Sequence, residues 1–376
     1  MGIKFESWTK RVRRDKRVEK GKKGVIGEEK KRISGFNRAG FTMIELIISL
    51  IIMAIISLIS FDILRKVYRN YVITREVTRL NLKTETILSI LASKLQNRLK
   101  NSIIGVECNV TNGDCEAGNV IGFKPVAQIR NDERDKYPVL EWIEVDRTAK
   151  IGIWNDSIKN LEPGWSGFID LRQTQYSTAN DDCKNYWTIV TPYSNSNIVQ
   201  QVVGNYLKQW GVEGAEDVFG NWLVGLVFGG PGGRGTLSDD FNSSYGYYQN
   251  WSDQIYMVVE INGNQWKICR PGVSDEERKT RQNVKIFQTY YLVKGGGAIV
   301  PVTTGNGEFN LTYRFNYFPW LDQKYTDGNS TIIGDHITFF QFKEEQGNLR
   351  LYLCITSDNI DLKEYNLTVC KEKVVF

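Results

Sequence analysis

The sequence predicts an α+β protein, in which a long N-terminal hydrophobic helix packs on a mostly β C-terminal head. Three observations predict it. The segment 41–61, FTMIELIISLIIMAIISLISF, carries a single charge, Glu45. Between Gly40 and Gly105 there is neither glycine nor proline, and all eight prolines lie at position 125 or later. Past Gly105 the pattern changes to short alternating apolar runs separated by glycine, asparagine and aspartate, which is strand and turn chemistry. The division that follows is a basic segment 1–40, an apolar helical segment 41–61, an amphipathic stem 62–104 and a head 105–376. A loop rich in glycine and serine near 229–250 would divide the head into two lobes.

Charge follows the same division. Residues 1–40 hold 14 basic and 5 acidic side chains, residues 62–100 hold 9 and 3, and residues 101–376 hold 25 and 34. The formal +5 of the whole chain is therefore an average over unlike parts, and the head alone is net −9. A basic chain invites a nucleic-acid partner, but an acidic head argues against direct nucleic-acid binding. The chain has one histidine, His336, in Asp335-His336-Ile337. A multi-histidine metal site is excluded, and His336 reads as a strand-end residue, not a catalyst.

The apolar segment is long enough for a membrane span once Phe41–Ile44 is added to Leu46–Phe61. No small-x-small cleavage site follows it and helical sequence continues beyond, which argues against a secretory signal. The positive-inside rule keeps the basic N-terminus cytosolic and sends the residues after 61 across the membrane. Glu45 is the informative residue. A carboxylate inside an apolar span costs a few kcal/mol unless partnered, so it reads as functional.

The string Arg38-Ala39-Gly40-Phe41-Thr42-Met43-Ile44-Glu45-Leu46 resembles the prepilin cleavage and methylation motif of type IV pilins and type II secretion pseudopilins. The resemblance implies cleavage by prepilin peptidase between Gly40 and Phe41, with Phe41 becoming the methylated N-terminus. It implies that Glu45 pairs with the N-terminal ammonium of a neighbouring subunit. The implied partners are other pilins or pseudopilins, an inner-membrane assembly platform and membrane lipid, with assembly in a periplasmic pseudopilus or an extracellular pilus. The peptidase's catalytic groups lie elsewhere, so no residue of this chain is implied as catalytic.

After Asp62 the helix turns amphipathic, with Val77, Leu80, Ile87, Leu88, Leu91, Leu95 and Leu99 at three- and four-residue spacing. A helix from Phe41 to about Asn101 would run roughly 90 Å at 1.5 Å per residue, its stripe packed on the head. In the head, Val139–Val145 alternates as a strand. Ile255–Ile261 and Gln265–Cys269 flank Asn262-Gly263-Asn264 as a hairpin. Phe287–Val293 and Ala298–Val302 flank Gly295–Gly297 as a second, and Ile337–Lys343 and Leu349–Ile355 flank Gly347-Asn348 as a third. Ile198–Trp210 is the helix of the head. The loop 229–236, GGPGGRGT, lacks the Lys-Ser/Thr ending of a phosphate loop and is not read as one.

All six cysteines lie between 108 and 370, as expected of an oxidising compartment, and no C-x-x-C pair occurs. Six cysteines allow 15 pairings. Cys108–Cys115 across a turn, Cys354–Cys370 between C-terminal strands and Cys183–Cys269 by elimination are the favoured set, with buried free thiols the alternative. Asp322, Asp327 and Asn329 form an oxygen-rich loop that could take Ca²⁺, although no EF-hand spacing is present; no other cofactor is expected. Seven Asn-x-Ser/Thr sequences occur in the head, at Asn109, Asn155, Asn242, Asn250, Asn310, Asn329 and Asn366. Five carry an acid two residues earlier, namely Glu107, Asp240, Glu308, Asp327 and Glu364, which resembles the extended acceptor of bacterial periplasmic oligosaccharyltransferases. That resemblance makes Asn109, Asn242, Asn310, Asn329 and Asn366 glycosylation candidates.

The reading these observations favour is a non-enzymatic minor pilin or pseudopilin that initiates or caps a filament, since the head is far larger than a typical repeating subunit needs. A tip adhesin or substrate-binding subunit is one alternative, and an uncleaved, membrane-anchored periplasmic enzyme is another.

Overall fold

The computed structural model describes residues 42–178, 185–229, 245–248, 254–269, 286–305, 307–358 and 367–376. Gly40, Phe41, Cys183, Asn242, Asn366 and most of the 229–250 loop therefore lie outside the described residues. The chain divides after Arg65 into two units, the second running from Lys66 to Phe376. Of the expected stem 62–104, the part from Lys66 onward lies in the same unit as the head.

Helix α1 covers Met43–Leu95. Within the first unit every residue from Met43 to Arg65 is exposed, including the unbroken run of isoleucine and leucine. This helix is long and apolar enough to cross a membrane. Within the second unit its buried positions are Glu76, Leu80, Thr84, Ile87, Leu88, Leu91, Ala92 and Leu95. Those are three- and four-residue steps, one face of a 3.6-residue helix.

The head is built from β1 (Ile104–Glu107), a short α2 (Asp114–Ala117), β2 (Gly122–Pro125), β3 (Val139–Val145), a short α3 (Thr148–Ile151), β4 (Ile153–Asn155) and β5 (Asn160–Glu162). Then come β6 (Gln175–Thr178), β7 (Asn185–Val190), α4 (Ser196–Gln209), β8 (Gly225–Gly229), β9 (Ile255–Asn262) and β10 (Gln265–Cys269). Long strands close the chain, β11 (Thr289–Gly305), β12 (Glu308–Tyr317), β13 (Asn329–Glu345), β14 (Asn348–Thr356) and β15 (Thr368–Val375). Among the described residues, all but β4 and β5 join one antiparallel sheet in the order β15-β14-β13-β12-β11-β8-β9-β10-β7-β6. A branch adds β3 to β11, β1 to β3 and β2 to β1.

Two hydrophobic cores lie on opposite faces of that sheet. One holds the buried stripe of α1 with Leu140, Trp142, Ile299, Tyr313, Leu351 and Leu353. The other holds α4 through Val199, Val203 and Leu207, together with Val139, Ile143, Ala298 and Val300. Neighbouring residues of β3 and β11 thus alternate between the two cores, as the pleat requires. All seven residues of β3 are buried in consequence.

Two expectations need correction. Gly295–Gly297 is not a turn, because β11 runs through it as a single 17-residue strand. The glycines are there for space. A Cβ on Gly296 would come within 2.4 Å of the Tyr317 ring, and one on Gly297 within 2.9 Å of Trp142. The helix also stops at Leu95 and not near Asn101. Residues 97–99 leave it to bond strand β3: the Leu99 N–H donates to the Ile143 carbonyl and the Val145 N–H to the Asn97 carbonyl. A tertiary partner ends the helix where no glycine or proline does.

The other two hairpins form, the β13–β14 turn one residue earlier than the expected Gly347-Asn348. β9 and β10 pair across a turn at Gly263, and β13 and β14 pair across Gln346-Gly347, both residues with positive φ. The head helix α4 starts two residues earlier than Ile198 suggests, at Ser196, capped by the Asn195 side chain, which accepts the Asn197 N–H at 3.1 Å. His336 lies inside β13, at an irregularity in its pairing with β12, with φ 55°, and is not at a strand end.

Candidate functional site

The candidate site begins at the N-terminus of α1. Thr42 precedes the helix and Glu45 is its third residue, the spacing of a capping box. The Glu45 N–H donates to Thr42 Oγ1 at 3.4 Å, and the Glu45 carboxylate accepts the Thr42 N–H at 3.1 Å and its hydroxyl at 3.0 Å. The Glu45 carboxylate therefore lies in the first turn, where the helix dipole favours an anion, and has local hydrogen bonds of its own. The Thr-x-x-Glu spacing was legible in the sequence and the expectation for Glu45 did not use it.

Further along α1, the polar members of the buried stripe are all engaged. The Glu76 carboxylate accepts from Arg79 at 2.8 Å and from the Ser357 hydroxyl at 2.7 Å. Burial alone would raise the Glu76 carboxyl, but the hydrogen bonds from Arg79 and Ser357 outweigh it and hold it below its ordinary value. Arg79 also pairs with Asp358, and Lys83 with Asp335 at 2.6 Å. Glu85 accepts from Lys373 at 3.1 Å and Lys371 at 3.4 Å, both on β15. Arg79 and Lys83 of the positive stem thus meet acidic positions of their own head.

The third group was not read from the sequence at all. Glu141 sits on β3 at 1% exposure, accepting hydrogen bonds from Tyr248 at 2.7 Å and Tyr317 at 2.9 Å. Burial pushes its carboxyl up to about 7, partly offset by those two phenols. On the other face of β3, Glu144 is bonded to Tyr313. Asp146 accepts from the Trp165 indole at 3.2 Å, and burial raises its carboxyl as well. These acids are fixed by phenol and indole donors inside the protein.

Cys108–Cys115 and Cys354–Cys370 are both disulfides, the latter between directly opposed residues of β14 and β15. Cys269 is disulfide-bonded too. Of the described glycosylation candidates, Asn109 is exposed in a turn, where its side-chain carbonyl accepts the Thr111 and Asn112 N–H groups. Asn310 is half-buried within β12. Asn329 is held by two hydrogen bonds, donating to the Trp210 carbonyl at 3.1 Å and accepting from Asn316 at 3.0 Å. In the loop expected to suit Ca²⁺, Asp327 accepts the Lys324 N–H at 2.8 Å and Asp322 is exposed. Among the described residues no group of three or more His, Cys, Asp or Glu side chains is placed to hold a metal ion. His336 bonds Glu308 at 2.8 Å.

Comparison with known families matches residues 35–61 to the prokaryotic N-terminal methylation motif. No curated protein and no solved structure gives a significant match to the chain. The chain thus carries a prepilin-type methylation motif that continues into a long apolar helix and a mostly β head, the arrangement of a type IV pilin-like or pseudopilin subunit. Such a motif implies processing by a peptidase and assembly with other pilins, and the apolar helix suggests membrane anchoring.

Proposed function

We propose that the chain is a non-enzymatic minor pilin or pseudopilin, cut after Gly40, methylated on Phe41, and assembled through α1 as an initiating or tip subunit. The observation that carries this reading is the methylation motif at 35–61 leading into a helix whose residues 43–65 are all exposed. A helix that leaves isoleucine and leucine bare on every side needs lipid or other apolar helices around it. Before cleavage that surround is the inner membrane, with the basic N-terminus cytosolic. In a filament it is the apolar helices of neighbouring subunits. Cleavage creates an ammonium at Phe41, and Glu45 of a neighbour supplies the opposite charge in a medium where an unpaired ion is costly.

The size of the head supports the minor role, because a repeating subunit has to pack its head at every step of the filament. The test is the mature N-terminus of the native protein by mass spectrometry. N-methyl-Phe41 is the expected result, and a retained Met1 overturns the reading in favour of an uncleaved anchored protein. The same measurement on head peptides tests glycan at Asn109, the exposed acceptor among the described candidates.

A further inference from the structure

The head contains a cavity of about 510 Å³ that the assembly function does not use. Its walls include Leu99, Val145, Trp165, Val227 and Phe228, and its polar lining includes Arg98, Lys100, Arg147 and Lys150. No aspartate or glutamate lines it among the described residues. That is unexpected on a head of net −9, where acids outnumber bases. Volumes of this size suit small organic molecules.

Among the described residues no aspartate or glutamate side chain is hydrogen-bonded to these cations, although Arg98 also donates to a Phe376 oxygen at 3.4 Å. Arg98 is buried, donates to the carbonyls of Leu95 and Val375, and has no partner for its Nε. Lys150 is exposed and holds its ammonium 4.7 Å from the centre of the Trp165 ring. Lys100 and Arg147 are exposed. Glu344 acts on Arg98 and Lys100 from outside the lining, and Arg147 adds like charge that opposes the positive charge of Arg98. Gathering like charges costs free energy, which an anion would recover. An apolar floor beneath a cationic mouth selects a molecule with both features.

We infer that this cavity binds a small organic anion, a phosphate or carboxylate carried on an apolar or aromatic body, with the anionic group at Lys100, Arg147 and Lys150 and the body against Leu99, Val227 and Phe228. The site is independent of the filament role, since every residue in it lies in the second unit.

Phenyl phosphate is the probe, titrated against the full chain in non-ionic detergent and followed by saturation-transfer NMR. Saturable binding is expected, weakening as salt is raised. Inorganic phosphate and benzyl alcohol, each carrying half of the chemistry, should compete at least about tenfold less well. The double substitution Arg147→Glu/Lys150→Glu should weaken binding by about tenfold or more, because two attractive charges become repulsive. Lys136→Glu/Lys208→Glu, which makes the same change of net charge at exposed positions outside the lining, should stay within about twofold. Lys100→Glu gives an independent reading of the mouth should the double variant unfold. The inference is overturned by no saturable binding to the native chain, by equal losses in the two double variants, or by unchanged binding in Arg147→Glu/Lys150→Glu. Competition by inorganic phosphate as strong as phenyl phosphate itself would also overturn it.

Discussion

The two parts of α1 share one backbone geometry and obey opposite rules. From Met43 to Arg65 every side chain is exposed, apolar or not. From Lys66 to Leu95 one stripe is buried and the rest is wet. The first part contains one charged residue before Asp62, and its carboxylate is already bonded to Thr42. The second contains two polar residues in its buried stripe, Glu76 at its start and Thr84 within it, each with partners of its own. The lesson is that a polar group on an apolar helix has to be read by the solvent it faces. In protein, a fixed set of neighbours satisfies it; in lipid, the proposed assembly would bring a second partner to Glu45.

Substituting Glu45 is expected to have the largest effect. Glu45→Val removes the one charge of the apolar segment, so membrane insertion should persist and even improve, while recovery in sheared filaments falls by tenfold or more. Normal recovery would show that the local bonds to Thr42, not a neighbour's ammonium, are the purpose of the carboxylate. A core substitution in the second part separates the two rules. Leu88 is fully buried between α1 and the sheet, and Leu88→Ala should cost about 2–5 kcal/mol in unfolding of the head followed by tryptophan emission. Ile51→Ala, at an exposed position of the first part, should leave that transition unchanged. Equal effects would mean that the first part packs on protein as the second does.

Glu141 carries the comparison into the head. Its carboxyl ordinarily titrates near 4.5 and is pushed up to about 7 by burial. Between those values the folded chain holds a proton that the unfolded chain has released. Its contribution to stability is therefore fully present below pH 4.5 and lost as pH rises through 7, an effect of about 3 kcal/mol. Glu141→Gln stays neutral and can still bond Tyr248 and Tyr317. It should match the native chain at pH 4.5, exceed it at pH 8 and flatten the profile between. An unchanged profile would place the titration on another acid of β3.

Sequence reading reached the parts of the molecule that are governed locally. The long helix follows from 64 residues without glycine or proline, and the turns at Gly263 and Gly347 follow from residues that tolerate positive φ. What it missed depends on residues far away in the chain. The alternation of Val139–Val145 implies one wet face, yet the sheet carries α1 on one side and a second core on the other, and so Glu141 and Glu144 are both enclosed. Gly295–Gly297 has the composition of a turn, but Tyr317 and Trp142 fill the space a side chain would need. Leu95 ends the helix because β3 competes for the next backbone groups. The candidate site was half legible. The motif around Gly40 and Glu45 could be read from its string alone, whereas the cationic cavity gathers Lys100, Arg147 and Lys150 with Tyr291 and could not.

Thr84 should show the smallest effect, and it tests the rule for polar groups in protein most directly. It is fully buried in the stripe of α1, and its hydroxyl donates to the Leu80 carbonyl at 2.7 Å. That carbonyl already accepts the backbone N–H one turn on, so removing the hydroxyl orphans neither donor nor acceptor. Valine keeps the branched shape and adds apolar surface to a dry interface, which offsets the lost hydrogen bond. Thr84→Val should therefore change the unfolding free energy by no more than about 1 kcal/mol, against several for Leu88→Ala. A loss as large as that of Leu88→Ala would show that the hydroxyl serves the packing of α1 in some further way.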